Sequence, residues 1–153
     1  MREYVVTCCS TADMSRTFME TNEVPFAMFH YQLDGKEYAD DLYSSISPEV
    51  FYKMIGDGAQ PVTSQVNAEA YCALFEPVLK SGKDVLHLTL SSGISGSINS
   101  ANVAKTQMEE KYPDRRVMVV DSLAASSGYG MLVEQTLENQ RSGMSLEENA
   151  AWI

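Results

Sequence analysis

Residues 84–101, DVLHLTLSSGISGSINSA, decide the fold that the sequence predicts. The apolar run over residues 84–90 is typical of a buried strand, and a helical pattern follows over about residues 98–110. Serines and glycines form the loop between them. Strand, glycine-containing loop and helix in this order can hold an anion, because free backbone N–H groups and the helix dipole point at the ligand. The loop has no lysine, arginine or histidine, so hydroxyl and amide groups would have to hold that ligand.

The same alternation of strands and helices extends along the chain. Further strands are predicted at residues 4–7, 25–31 and 116–120, with a hairpin turn at Asp34–Gly35 and a return strand at 36–38. Further helices are predicted at residues 48–55, after Asn67, and at 128–141, with a loop at 58–64. This pattern predicts an α/β domain with a mostly parallel sheet flanked by helices. Ligands of such sheets bind beyond the carboxyl ends of the strands.

Composition excludes several classes of function. The 153 residues suit one domain, and 44% hydrophobic with 21% charged residues is ordinary for a globular protein. A net charge of −10 repels phosphate backbones and argues against a nucleic-acid partner. No apolar run approaches the ~20 residues of a membrane span. Cys8, Cys9 and Cys72 form no C-x-x-C pair, so we expect neither a metal site nor disulfides, but reduced thiols in a cytoplasmic protein.

The serine loop fits no complete catalytic or nucleotide motif. It lacks the lysine of a Walker A loop and the three glycines of a dinucleotide fingerprint. Gly93-Ile94-Ser95-Gly96-Ser97 misses the hydrolase motif G-x-S-x-G only at its last position. Both histidines, His30 and His87, precede the serine and fall within predicted strands. A serine hydrolase with Ser95 as nucleophile would therefore need a base outside this chain, and it is kept as the alternative.

A neutral cradle for a carboxylate or an acyl phosphate is the other hypothesis for this loop. Two more hydroxyl pairs, Thr63-Ser64 and Ser126-Ser127, lie in predicted loops that could converge with it at one edge of the sheet. Serines and threonines also serve as caps and turns, and composition alone leaves that structural interpretation open.

The last residues of the sequence predict a short helix. Ser145 and Glu148 form a capping box, and about two turns follow before Trp152 and Ile153. Helices this short are marginal alone, so we expect Trp152 to pack on a neighbour or to be exposed. On this interpretation the chain is the front part of a longer protein.

Four stretches together resemble one protein family. They are PVTSQVNAEAYCALFEPVLKSGKDVLHLTLSSGISGSINSA at residues 61–101, GKEYADD at 35–41, VVDSLAASSGYG at 119–130 and SGMSLEE at 142–148. They resemble the DegV family of bacterial fatty-acid-binding proteins, over essentially the whole chain. One departure is the run Thr7-Cys8-Cys9-Ser10-Thr11-Ala12-Asp13, where family members usually have Thr-Asp-Ser-Thr-Ala-Asp.

The resemblance implies a lipid carrier. Members are two-domain proteins with an EDD fold and a buried apolar tunnel for an acyl chain, so the second domain would be absent from this chain. The fatty-acid carboxylate would be held by Thr63 and Ser95, with Ser64 and Gly96 as secondary candidates. The protein would be no enzyme and need no cofactor. It would present its fatty acid to an ATP-dependent fatty acid kinase.

The resemblance also brings a third hypothesis. The fold is related to the substrate domains of dihydroxyacetone kinases, which hold their substrate covalently on a histidine. No histidine of this sequence lies near a predicted loop.

Overall fold

The structure of the protein, a computed structural model, describes residues 3–153. The strands are β1 (Tyr4–Cys9), β2 (Phe26–Ala27), β3 (His30–Leu33), β4 (Lys36–Ala39), β5 (Val62–Ser64), β6 (Asp84–Thr89) and β7 (Val117–Asp121). The helices are α1 (Arg16–Thr21), α2 (Pro48–Gly56), α3 (Ala68–Lys80), α4 (Ser97–Lys111), α5 (Ser126–Arg141) and α6 (Leu146–Trp152), with one 3-10 turn at Ser10–Ala12.

The main sheet is parallel and has the strand order β2-β1-β6-β7. β6 is buried along its whole length, as the continuous apolar run predicts for a central parallel strand. It pairs with β1 through Tyr4 and Asp84 and with β7 through Val85 and Val117. The predicted α/β fold with a parallel sheet is confirmed.

Helices cover both faces of this sheet, and the alternation of side chains along β1 shows which helix lies where. The Tyr4 hydroxyl accepts a hydrogen bond from the side chain of Asn149 on α6. Cys9, five positions along and therefore on the opposite face, has its sulfur 3.4 Å from the Tyr71 hydroxyl on α3. The Tyr71 ring packs edge-on against the ring of His87 on β6. The core therefore consists of two layers, one on each side of the sheet.

The predicted helix starts are confirmed by their caps. The Asn67 side chain accepts a hydrogen bond from the Ala70 amide at 2.8 Å, and Ser47 caps α2 in the same way. Ser145 and Glu148 form both bonds of the capping box at the start of α6. Trp152, at the end of α6, is 46% exposed.

A second, smaller sheet corrects two predictions. The predicted hairpin is confirmed: β3 and β4 are antiparallel, and Asp34 and Gly35 have positive φ in the turn. The single strand predicted over residues 25–31 is wrong, because the chain leaves the main sheet after Ala27 and enters β3 at His30. The loop predicted over residues 58–64 is also wrong in its last part, where β5 pairs with β3.

Candidate functional site at the carboxyl edge of the sheet

Two loops meet beyond the carboxyl ends of β6 and β7. The Ser91 amide donates to the Ala124 carbonyl at 3.0 Å. The Asp121 carboxylate accepts hydrogen bonds from the amides of Ser92 and Leu123, at 3.1 and 3.0 Å. Parallel strands end at the same edge of a sheet, and the serine loop meets the loop after β7 there. The Ser126-Ser127 pair, predicted in a loop, instead lies in the first turn of α5.

Ser95 lies two residues before the start of α4 and is only 9% exposed. Its amide donates to the Ser91 carbonyl at 3.1 Å, and its Oγ accepts from the Ser97 amide at 3.2 Å. A hydroxyl has one proton to donate and two lone pairs. The bond from Ser97 uses one lone pair and fixes the oxygen near the helix N-terminus. The Ser95 proton can then be donated to an anionic group.

Thr63 is exposed in the middle of β5, an element too short to be visible in the sequence pattern. Its neighbour Ser64 points to the other side of the strand and donates its hydroxyl to the His30 carbonyl at 3.4 Å. Of this predicted pair, Thr63 is therefore the one that lines the cleft described below.

The segments that carry Thr63 and Ser95 are in contact through Gln65 and Gly96. A Cβ on Gly96 would lie 3.1 Å from Oε1 and 3.2 Å from Nε2 of Gln65. In the part of the chain that the structure describes, the hydroxyls of Thr63 and Ser95 are not hydrogen-bonded to each other. The fold thus brings the two predicted segments together, while the two hydroxyls remain separate.

A cleft of about 270 Å³ opens between the hairpin and α2. Its lining is mostly aromatic and aliphatic: Thr11, Asp13, Phe29, His30, Tyr31, Ala39, Asp40, Asp41, Tyr43, Ile46, Phe51, Tyr52, Pro61 and Thr63. The Phe51 ring stands edge-on to Tyr31 and Tyr52, with centroids 5.3 and 5.4 Å apart. Ser95 is not among the lining residues. Thr63 therefore lies at the cleft, and Ser95 lies outside it.

The three aspartates of this lining, Asp13, Asp40 and Asp41, make one side of the cleft acidic. Burial raises the pKa of Asp40, with a smaller opposing effect of its hydrogen bond with Ser10. The carboxylate of a ligand placed among these three aspartates would be repelled. The cleft suits an apolar group better than an anion.

A buried polar cluster lies beneath the site and includes one of the two histidines. His87 is fully buried, and its Nδ1 is hydrogen-bonded to the Thr7 hydroxyl at 2.8 Å. Its Nε2 lies 3.8 Å from the Cys9 sulfur. Burial lowers the pKa of His87 to about 3 and raises the pKa values of the Cys8 and Cys9 thiols. These groups are neutral parts of the core, and the Ser95 hydroxyl has no hydrogen bond to His30 or His87 within residues 3–153.

Residues 3–153 contain no group of three or more His, Cys, Asp or Glu side chains placed to hold a metal ion. No helix of this part of the chain has the length and apolar character to cross a bilayer.

Fold and site together define an α/β domain with a hydroxyl-lined loop and an aromatic cleft beside the carboxyl edge of a parallel sheet. The sequence model of the family described as "Uncharacterised protein, DegV family" matches residues 5–153. The chain belongs to the DegV family.

Relatives and solved structures are similar over the whole chain. A DegV domain-containing protein of Clostridium perfringens is 33% identical over 153 residues, which are all of this chain and 53% of the relative. A fatty-acid-binding DegV family protein from Thermus thermophilus has 31% identity and a TM-score of 0.86, covering 99% of this chain and 51% of that one. A stearic-acid-binding protein from Eubacterium ventriosum has 28% identity and a TM-score of 0.87, covering 97% and 51%. The chain thus spans about half the length of these relatives.

Sequence reasoning missed two parts of the site. The aromatic residues of the cleft come from the hairpin and α2, whose packing against each other depends on the tertiary fold. The contact of Gln65 with Gly96 was also not predicted, although both residues lie in the motifs that carry the family resemblance. Gln65 is brought to Gly96 because β5, the strand before it, pairs with β3. This strand has only three residues and follows a proline, so the sequence pattern gives almost no signal for it.

Proposed function

We propose that the protein is a carrier that binds a long-chain fatty acid. The observation that carries the proposal is the contact between Gln65 and Gly96, which joins the Thr63 strand to the Ser95 loop beside an aromatic cleft. Membership of the DegV family supports it, as do the fatty acids bound by the relatives from Thermus thermophilus and Eubacterium ventriosum.

The carboxylate is held on the hydroxyl side of the site. The Ser95 hydroxyl donates one hydrogen bond, and its oxygen is already fixed by the Ser97 amide. Thr63 donates the second, while Ser64 and the Gly96 backbone are secondary candidates. The N-terminus of α4, a helix of 15 residues, adds a favourable dipole. This arrangement needs no metal and no cofactor.

The acyl chain occupies the cleft beside Thr63. Phe29, Ile46 and Phe51 offer it an apolar surface, and the acidic side of the cleft disfavours the opposite orientation. At about 270 Å³ the cleft is at the small end of the usual range for ligand sites, roughly 300–1,000 Å³. It accommodates part of a long chain, and the remainder extends beyond this domain.

Presentation of the bound acid to an ATP-dependent fatty acid kinase is the second half of the proposal. It is supported by the family resemblance of the Thr-Ser-Gln and Ser-Gly motifs. Among residues 3–153, the hydrogen bonds of Ser95 to Ser91 and Ser97 shape its own loop. The role of the protein is then to hold the carboxylate while the kinase supplies the chemistry.

Native mass spectrometry and two substitutions test the proposal in the protein as its gene encodes it. Purified from cells, the protein is expected to carry a fatty acid. Thr63→Ala and Ser95→Ala should each weaken binding, since a hydrogen bond to a charged group contributes about 1.5–3 kcal/mol, or roughly ten- to a hundredfold in affinity. The two effects need not add, because both hydroxyls hold one carboxylate.

Matched controls separate binding from folding. Thr17 and Ser142 are exposed and lie on α1 and at the end of α5, so Thr17→Ala and Ser142→Ala should leave affinity unchanged. If Ser95 serves only its loop, Ser95→Ala will lower stability by about 1 kcal/mol and spare affinity.

Covalent labelling of Ser95 by a serine-directed probe would favour the hydrolase instead. Addition of the kinase and ATP should convert the bound acid to an acyl phosphate.

A further inference from the structure

Gly96 is a glycine at a position whose backbone does not need one. Its φ of −77° and ψ of 5° are accessible to any residue, whereas Gly82 has a φ of +84° that favours glycine. It is also the N-cap of α4, where serine or aspartate would provide a side-chain cap. A further reason for glycine lies in what approaches this position.

The side-chain amide of Gln65 occupies the space that a side chain on Gly96 would fill. The Cβ of an alanine there would lie 3.1–3.2 Å from the amide oxygen and nitrogen, closer than nine in ten real Cβ contacts, so the amide would have to shift by a few tenths of an ångström. Gly93, in the same loop, would place its Cβ at an ordinary 3.5 Å from the Ser91 hydroxyl. Of these two glycines of the serine loop, Gly96 is the one with such a close neighbour.

We propose that Gln65 is a positioning residue, whose amide rests on Gly96 and sets the separation between Thr63 and Ser95. Gln65 directly follows β5, two residues after Thr63, and the next residue, Val66, is anchored in the core. Gly96 directly follows Ser95. A displacement of the amide therefore moves one hydroxyl relative to the other. This inference rests on the proposed function, because it concerns the two groups assigned to one carboxylate.

A double-mutant cycle measures this contact through fatty-acid affinity. Gly96→Ala forces the Gln65 amide away, and Gln65→Ala removes it, so each is expected to weaken binding about tenfold. In the Gln65→Ala background the methyl group at position 96 meets no amide. There Gly96→Ala is expected to cause no further loss. An equal loss from Gly96→Ala in both backgrounds, or an unchanged affinity of Gln65→Ala, would overturn the inference.

Amide NMR of the ligand-free protein tests the same contact without any fatty acid. Gly96→Ala should shift the amide signal of Thr63, on the other segment, and should not do so in the Gln65→Ala background. The controls are Gly93→Ala in the same loop and Gln60→Ala on the exposed loop before β5, which should leave that signal in place. If Gly96→Ala shifts the Thr63 signal only when Gln65 is present, but the wild-type protein binds no fatty acid, the proposed function fails. The coupling of the Thr63 and Ser95 segments then still stands. If Thr63 does not respond, the positioning role fails whatever the affinity is.

Discussion

The hydroxyl of a single tyrosine, Tyr129, joins two neighbouring strands of the main sheet. It accepts a hydrogen bond from the Cys9 amide at 3.0 Å and donates one to the Leu88 carbonyl. The side chain is fully buried, so neither backbone group can turn to water. One α5 residue thereby holds the end of β1 to β6, beside the loops of the candidate site.

Tyr129→Phe should therefore destabilise the protein although it removes only one oxygen. Two buried backbone groups lose a partner, and each such loss costs about 1–3 kcal/mol. The measurement is the free energy of unfolding in urea, with Tyr52→Phe as a control, because Tyr52 is 66% exposed. A change no larger than that of the control would mean that the bridge contributes nothing to stability.

At the scale of elements, α2 differs from the other helices in how little of it is buried. No residue of α2 is buried, and the hydrophobic cluster of the described core takes no residue from positions 43–65. Leu42 and Tyr43 before it have left-handed backbones with φ of 57° and 64°, and Gly58 after it has a φ of +106°. The segment is thus bounded by unusual backbone at both ends and packs mainly through the rings of the cleft.

Hydrogen exchange should show this segment opening independently of the rest. Amides of α2 are expected to exchange at least about tenfold faster than those of α3, since local opening needs less free energy where few apolar contacts are broken. Mass spectrometry of peptides from residues 48–56 and 68–80 compares the two helices in one sample. Equal protection of both would show that α2 unfolds only together with the core.

Elements with strong local signals could be predicted, and those fixed by distant pairing could not. α3 has a capping asparagine and an apolar face, and β6 has a continuous apolar run, so both were predicted within a residue or two of their bounds. α1 has only six residues and one buried side chain, too few for a periodic pattern. β5 has no buried residue and exists because β3 offers it an edge.

In the candidate site too, some features could be predicted from local sequence and others depend on the tertiary fold. The serine loop was located from its strand and helix, and the Thr63-Ser64 pair from its hydroxyls, whereas the assignment of Thr63 to a carboxylate came from the family resemblance. The approach of Gln65 to Gly96 depends on how the small sheet lies against α4, which no local pattern encodes. The acidic side of the cleft was not predicted either, because Asp13 and Asp40 are separated by 26 intervening residues and meet only in the fold.

For the whole molecule, the buried histidine predicts how stability depends on pH. Burial lowers the pKa of His87 to about 3, while an unfolded chain has a histidine pKa of about 6.5. Above pH 6.5 both states are neutral at this position and the full stability is present. As the pH falls below 6.5 the unfolded state binds a proton that the folded state does not, so stability decreases until about pH 3.

Between pH 6 and 5 this effect should approach about 1.4 kcal/mol per pH unit. Urea unfolding at several pH values measures the slope, and His87→Gln is the matched variant that lacks the titrating group. The difference between the two proteins should grow steadily as the pH is lowered through this window. Parallel curves would mean that His87 takes up its proton in the folded protein as readily as in the unfolded one.

The register of the main sheet has a consequence for the order in which the chain can fold. Residues 4–7 of β1 pair with residues 84–87 of β6, and β2 reaches only Cys8 and Cys9. Pairing between such distant residues requires closure of a long loop, which slows folding. During synthesis β1 has therefore been made long before β6 exists. Until β6 leaves the ribosome, the native strand pairs that the described part of the emerging chain can form are β1 with β2 and those of the small sheet β4-β3-β5.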